Sequence, residues 1–208
     1  MKTSSTPPAL HEGVALILLG FQNDLFAHVG RVRDLMSDDA SVAETIKNSV
    51  RLIDAFLDAG HLVVSAPLAL EGGDEVATAS IGMMGLFQER GAFRAGSAGA
   101  GAINEHRAYG DRIQRLPGRQ SFNAFADTGL NTILAYGDVH EVVIAGALTS
   151  LCVDSTARSA HERGYRVSVV ADATCARSRA EQENHLESIL PLFAVIRRTD
   201  DILSDLKE

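Results

Sequence analysis

The chain has 208 residues, 46% of them hydrophobic, with a net charge of −8 and an isoelectric point near 5.3. That length can bury one sizeable core, and the acidic balance argues against a generic nucleic-acid or anionic-membrane surface and for a small-molecule partner. Two cysteines make no disulfide framework, the polar, proline-containing start has no apolar leader core, and no run is long enough to span a membrane, so a reduced cytoplasmic protein is expected.

Residues 1–12 read as a flexible lead-in and 13–208 as one α/β domain, because apolar runs alternate with helical segments along the chain. Val14–Leu19 is a continuous apolar run ended by Gly20, the pattern of a central parallel strand covered on both faces. Ser41 to Gly60 predicts a helix with Val42, Ile46, Val50, Ile53 and Leu57 on one stripe, Ser41 at its start and Gly60 as its stop. A strand over 61–67 is closed by Pro67. The stretch from Leu70 to Gly110 is rich in glycine and alanine and reads as an insert or lid; its GSAGAGA lacks the Gly-Lys-Ser/Thr ending of a phosphate loop. Beyond it come a short strand over Asp111–Leu116, a helix over Asp127–Tyr136 and a β-branched strand over Glu141–Gly146. The turn Ala147-Leu148-Thr149-Ser150 leads into a helix from Leu151 to Gly164, with Ser150 as the expected N-cap. A strand from Tyr165 to Asp172, a helix over Arg179–Leu190, a last strand in FAVIRR and an acidic tail complete the pattern.

Cys152 is the most informative residue. It falls in the first turn of a helix that follows a strand, and parallel strands joined by a helix bring the strand's carboxyl end and the helix's amino end to one crevice, where open α/β sheets bind ligands. Unpaired N–H groups and the helix dipole there favour a thiolate over a thiol. Cys175 follows a different strand, has no partner motif and reads as structural.

The segment GALTSLCVDSTARSAHERGYRVSVVADAT resembles the signature of the isochorismatase-like cysteine hydrolases, with Cys152, Thr156, Ala157, Ala160, Gly164, Tyr165, Val167 and Asp172 matching. VALILLGFQNDLF is similar to that family's opening A-L-L-V-x-D-x-Q-N-D-F, and RQSFNAFADTGL to its K-x-x-x-S-A-F-x-x-T-x-L segment. The resemblance runs from Val14 to about Leu203. It implies a three-layer α/β/α fold with a mostly parallel central sheet, a homo-oligomer, no cofactor, and a non-proline cis peptide near Ala147-Leu148. It also implies a triad in which an aspartate is the base, a lysine an electrostatic aid and the cysteine the nucleophile.

This chain departs from that triad twice. Gln22-Asn23-Asp24 fixes the register of the first motif and leaves Gly20 where the family has its strand-end aspartate; the lysine position is Arg119, with Gly118 or Arg115 competing if the loop before Phe122 is slipped. A base takes the thiol proton and returns it to a departing amine, and Gly20 can do neither. Asp24, four residues on, is the candidate replacement, with a loop or capping role as its alternative. Arg119 and the helix terminus can both stabilise a thiolate. The N–H of Cys152 and one from the Ala147–Ser150 turn, including Leu148 and Thr149, are candidates for an oxyanion site. Gly20, Phe21, Gln22, Phe26, Phe122 and Phe125 are candidates to wall or fix a substrate pocket, with core packing as the alternative for each phenylalanine. The family's metal-binding members carry Asp-x-His after the second strand, where this chain has Ala66-Pro67-Leu68, so no metal is expected; His185 reads as structural.

Two functions are compatible with this pattern. One is a hydrolase or acyl-transfer enzyme in which Cys152 attacks a small carbonyl substrate, an amide or activated ester, with altered proton handling and a preference for leaving groups that need little protonation. The other is a degenerate member of the fold that binds a small molecule or partner without turnover. Isochorismate hydrolysis fits least, since those members rely on the aspartate and need no cysteine.

Overall fold

The computed structural model describes residues 9–10, 13–36, 38–71 and 81–207. The expected lead-in and the start of the expected lid fall largely outside them. Six parallel strands form one sheet in the order β3-β2-β1-β4-β5-β6: β1 (Val14–Leu19), β2 (Leu62–Ala66), β3 (Gln114–Arg115), β4 (Glu141–Ala147), β5 (Arg166–Cys175) and β6 (Val195–Arg197). Strands β1 and β4 lie at the centre and are buried along their whole length, which is why β1, and β4 after its first residue Glu141, are apolar rather than alternating.

The chain builds outward from β1 to β3, returns to β4 beside β1, and builds outward again to β6. The order reverses between β1 and β4. At such a switch point the loops after two neighbouring strands diverge and leave a crevice at the strands' carboxyl ends. Gly20 and the Ala147–Leu148 turn follow those two strands directly.

The helices are α1 (Asn23–Phe26), α2 (Asp39–Asp58), α3 (Gly82–Glu89), α4 (Asn104–Arg107), α5 (Leu130–Tyr136), α6 (Asp154–Glu162), α7 (Arg179–Asn184) and α8 (Thr199–Asp205). Helix α2 starts two residues before the expected Ser41 because the Asp38 carboxylate accepts the N–H groups of Ala40 and Ser41 at 3.0 and 3.2 Å. Its buried face is Val42, Thr45, Ser49, Leu52, Ile53 and Phe56, whereas Ile46 and Leu57 of the expected stripe are its half-buried margin. Polar residues reach that face because they have partners: Ser49 Oγ bonds His106 Nε2 at 2.8 Å, and Asn48 donates to the Asp172 carbonyl at 2.8 Å.

Three segments differ from the sequence expectation. The expected lid region contains α3 and α4, and its 98–102 stretch is packed as structure. Asn23 N–H donates to the Gly101 carbonyl, Asp24 N–H to the Gly99 carbonyl and Asn23 Nδ2 to the Ala98 carbonyl. Glycine is needed at 99 because a Cβ there would sit 2.2 Å from the Asp24 carboxylate. The long helix expected over Arg179–Leu190 is α7 followed by a π turn over His185–Ile189 and a 3₁₀ turn containing Pro191. The acidic tail forms helix α8, anchored where Asp172 accepts from Thr199 N and Oγ1 at 2.8 and 2.9 Å. No helix among the described residues is long and apolar enough to cross a membrane.

Candidate active site

A narrow cavity with room for about one water molecule opens at the switch point. Gly20, Ala147 and Leu148 form its floor at the strand ends, and Leu151 and Cys152 bound it on the side of α6. Leu25, Leu68, Phe87, Phe93 and Phe122 complete the wall. Phe87 meets Phe93 and Phe122 edge to face, with centroids 5.0 and 6.5 Å apart. Among the described residues Cys152 brings the one polar side chain to this lining.

Cys152 is a free thiol, 4% exposed, in a π-helical turn over Thr149–Val153 that leads into α6. The Ala147–Leu148 peptide bond is cis, as the resemblance implies. The N–H groups of Leu151 and Val153 both donate to the Leu148 carbonyl, at 3.1 and 3.2 Å, which folds the turn back on the strand end. Ser150 does not cap the helix. Its hydroxyl donates to the Glu181 carboxylate, while Thr149 Oγ1 donates to Gln182 Oε1 at 2.6 Å. Gln182 Nε2 in turn donates to the carbonyl and hydroxyl oxygens of Thr174 at 3.1 and 3.2 Å. Helix α7 therefore clamps the turn from outside the cavity and ties it to the end of β5. Neither Gln182 nor Glu181 belongs to the motifs that mark the site in sequence; their signal is only the placement of two polar side chains in the first turns of a helix capped by Ser178.

Gly20, expected from the resemblance at the aspartate position, stands at φ +69°. An added Cβ would stand 2.5 Å from the Ala147 carbonyl oxygen, so the backbone here is built for glycine. Asp24 stands apart from the cavity. Its side chain is buried, with Oδ2 accepting from Phe93 N–H at 2.7 Å and Oδ1 from Arg31 N–H at 3.4 Å, and it is absent from the cavity wall. A carboxylate held by backbone N–H groups of two loops acts as a structural acceptor.

Arg119 is 2% exposed. Its Nε donates to the Ala66 carbonyl at the end of β2 at 3.1 Å, one terminal nitrogen donates to the Ser121 carbonyl, and the other is buried without a partner. It makes no ion pair among the described residues. Its backbone is also fixed, through Arg119 N–H to the Pro67 carbonyl and Ala69 N–H to the Arg119 carbonyl, both at 3.0 Å. Arg119 thus lies one strand away from the Gly20 end, beside the cavity rather than in its wall.

The other expected pocket residues divide. Gly20, Ala147, Leu148 and Phe122 line the cavity. Gln22 spends both ends of its amide on loops, accepting from Leu68 N–H and donating to the Leu68 and Ala100 carbonyls, all at 2.7 Å. Phe21 stacks on Phe26 and His106 in the core, and Phe125 stacks on Tyr165 beneath the Arg163 guanidinium. Thr149 is turned to Gln182. Phe21, Gln22, Phe26, Phe125 and Thr149 are therefore neighbours of the site that hold its walls and do not form them. Cys175, whose thiol burial pushes up to about 12, packs its sulfur 3.4 Å from that of Met36. His185 Nδ1 lies 3.0 Å from the Glu181 carbonyl.

Comparison with known proteins places this arrangement. The chain is 26% identical to nicotinamidase 3 of Arabidopsis thaliana over 172 residues, 82% of this chain and 84% of that one. It is 32% identical to the isochorismatase family protein YecD of Escherichia coli O157:H7 over 88 residues, 42% of this chain, and the matched stretch spans about half the length of that relative, 47%. Among solved structures, a cysteine hydrolase from Pseudomonas syringae superposes with a TM-score of 0.82 at 19% identity, over 98% of this chain and 99% of that one. The model of the isochorismatase domain matches residues 14–201, and with nearly the whole described fold inside that match the chain belongs to the isochorismatase family.

Proposed function

We propose that this protein is a thiol-dependent hydrolase in which Cys152 attacks a small carbonyl substrate. The observation that carries this reading is the cavity itself: among the described residues Cys152 is the single polar side chain of its lining, set at the switch point between β1 and β4. Relatives named for cysteine hydrolase, nicotinamidase and N-carbamoylsarcosine amidase activities support hydrolysis at carbonyl carbon.

In the proposed first step the Cys152 thiol gives its proton to solvent, and the sulfur adds to the carbonyl carbon and forms a C–S bond. The bond to the leaving group breaks and its electron pair departs with that group. Arg119, with a buried amino group that lacks a partner, offsets negative charge near the strand ends. N–H groups of the Ala147–Cys152 turn are the proposed donors to the developing oxyanion. In the second step water adds to the acyl group, the C–S bond breaks with its electron pair returning to sulfur, and the protons of water pass to solvent.

Among the described residues no acid or base lines the cavity, and on this reading the leaving group departs without a delivered proton. A positioned acid or base contributes about 10²- to 10⁴-fold. Thioesters and activated esters, whose leaving groups are stable anions, are therefore the favoured substrates over plain amides. The water that attacks the acyl-enzyme is equally unassisted, so hydrolysis of the intermediate is the slow step. Incubation with a thioester is expected to give a burst of one leaving group per chain and an acyl adduct on Cys152 by intact-protein mass spectrometry. Cys152→Ala should show neither. Absence of both adduct and turnover across amides, esters and thioesters would favour the second reading, a member that binds a small molecule or partner without turnover, to which the lack of any acid or base in the cavity also points.

A further inference from the structure

Resting on the reading of Cys152 as the reacting thiol, we infer that Phe87 is the gate of the slot. Helix α3 swings on the glycines at its two ends and withdraws the ring to admit the substrate. The slot beside Cys152 has room for about one water molecule, less than any carbonyl compound with its leaving group occupies. A wall must therefore move before Sγ can meet a carbonyl carbon. Other parts of the wall are tied down by hydrogen bonds. Leu68 N–H donates to Gln22 Oε1 and its carbonyl accepts from Gln22 Nε2, both at 2.7 Å. Phe93 N–H donates to Asp24 Oδ2 at 2.7 Å, and its carbonyl accepts from Leu70 N–H at 2.8 Å. The turn over Leu148–Cys152 is clamped by α7.

Phe87 is held differently. Its carbonyl accepts Ala92 N–H at 2.8 Å, within its own segment, and its ring rests edge to face on Phe93 and Phe122. Among the described residues, the hydrogen bonds that tie α3 to other elements gather just past its carboxyl end, and both are exposed. Arg31 Nη1 donates to the Arg90 carbonyl at 3.1 Å, and Arg90 Nη1 donates to Asp34 at 2.5 Å. Exposed ion pairs contribute little, so this latch releases readily. Gly82 and Gly91, at the two ends of the helix, both stand at φ +63°, a conformation glycine enters and leaves without steric cost. Gln88 sets the balance. With the helix closed, its Oε1 is buried without a hydrogen-bond partner among the described residues, a cost that water relieves when the helix lifts. Closure is thus held by packed phenyl rings and opposed by one amide oxygen, the balance expected of an element that moves.

The test is the rate at which iodoacetamide alkylates Cys152 in the folded protein, followed by mass spectrometry with peptide mapping. Cys175, buried in the core, reports global unfolding in the same sample. In the native chain Cys152 is expected to react at least about tenfold more slowly than glutathione, as for a thiol exposed only in a minor state, with Cys175 unlabelled. Phe87→Ala, which removes the gate, should raise the Cys152 rate by about tenfold or more. Arg90→Gln, which releases the latch, should raise it about twofold. Gln88→Met, which replaces the unpartnered amide by an apolar chain of similar length, should lower it about fivefold. The last two variants leave the rings of the wall in place and decide the matter if Phe87→Ala does not fold. Native Cys152 reacting as fast as glutathione, or in step with Cys175, overturns the gate. Rates that the folded variants leave unchanged overturn it as well. Thioester turnover on the same samples judges the thiol chemistry separately. Turnover that depends on Cys152 but ignores these variants leaves the hydrolase reading standing without the gate, and alkylation that follows them without turnover supports the gate and not the hydrolase.

Discussion

The chain leaving β1 is shaped for a residue without a side chain. Gly20 sits at φ +69° with the Ala147 carbonyl oxygen 2.5 Å from where a Cβ would stand. A left-handed conformation costs an L-residue about 1–2 kcal/mol, and the contact with a main-chain oxygen adds to that because the central strands leave it little room to move. Gly20→Asp is therefore expected to lower stability by about 2 kcal/mol or more and to bring no amidase activity, although it supplies the carboxylate that the resemblance implies there. Urea denaturation and an amide hydrolysis assay on the same preparation check both halves. Gly20→Ala, which carries the steric cost without the carboxylate, should lose a similar amount of stability. A stable Gly20→Asp variant that hydrolyses amides would show that the strand end can readopt the family geometry.

At the scale of elements, the turn carrying Cys152 depends on α7, which makes no wall of the cavity. Gln182 joins Thr149 to Thr174 and so fixes the turn after β4 relative to the end of β5. Gln182→Met keeps the length of the side chain and removes these bonds. It is expected to lower kcat for a thioester by about tenfold, equivalent to about 1.4 kcal/mol of lost positioning, with KM nearly unchanged because the apolar wall is intact. A purely structural role would instead appear as a loss of folded protein with normal kinetic constants in what remains. The contrast with Cys152 explains what could be read in advance. Strands β1, β2 and β4 and the thiol's place between β4 and α6 follow from apolar runs, glycine stops and a local motif. The clamp joins residues far apart in the chain, and Ser150 shows why it was hidden: a serine at a helix start is read as a cap, but the π turn and the nearby Glu181 give its hydroxyl a different acceptor. Asp24 shows the reverse case, in which a motif points to a chemical role but the carboxylate accepts the N–H groups of nearby Arg31 and distant Phe93. Helix α8 was hidden for the same reason, since its anchor, Asp172, lies on β5.

Across the whole molecule, the loops over the carboxyl end of the sheet are tied to α2 by one buried titratable group, which gives stability a definite dependence on pH. His106 of α4 is 5% exposed, stacks on Phe21 with centroids 4.4 Å apart and bonds Ser49 at 2.8 Å. The Ser49 hydroxyl donates to the Ile46 carbonyl at 2.7 Å, so its oxygen accepts from the ring, which is thereby neutral with its proton on Nε2. Burial lowers the His106 pKa from 6.5 to about 4. Between those values the unfolded chain binds a proton that the folded chain refuses, so the stabilisation is complete above pH 6.5 and is lost as pH falls toward 4. The shift corresponds to about 2 kcal/mol lost at pH 5 and about 3 kcal/mol by pH 4. His61, its pKa also lowered by burial, acts in the same direction. His106→Gln keeps an N–H donor for Ser49 and removes the titration. Urea denaturation from pH 7.5 to 5 should therefore show the native chain falling by about 2 kcal/mol more than this variant. Parallel curves for the two would mean that acid weakens the fold elsewhere, and that the tie between the sheet-end loops and α2 is indifferent to the proton.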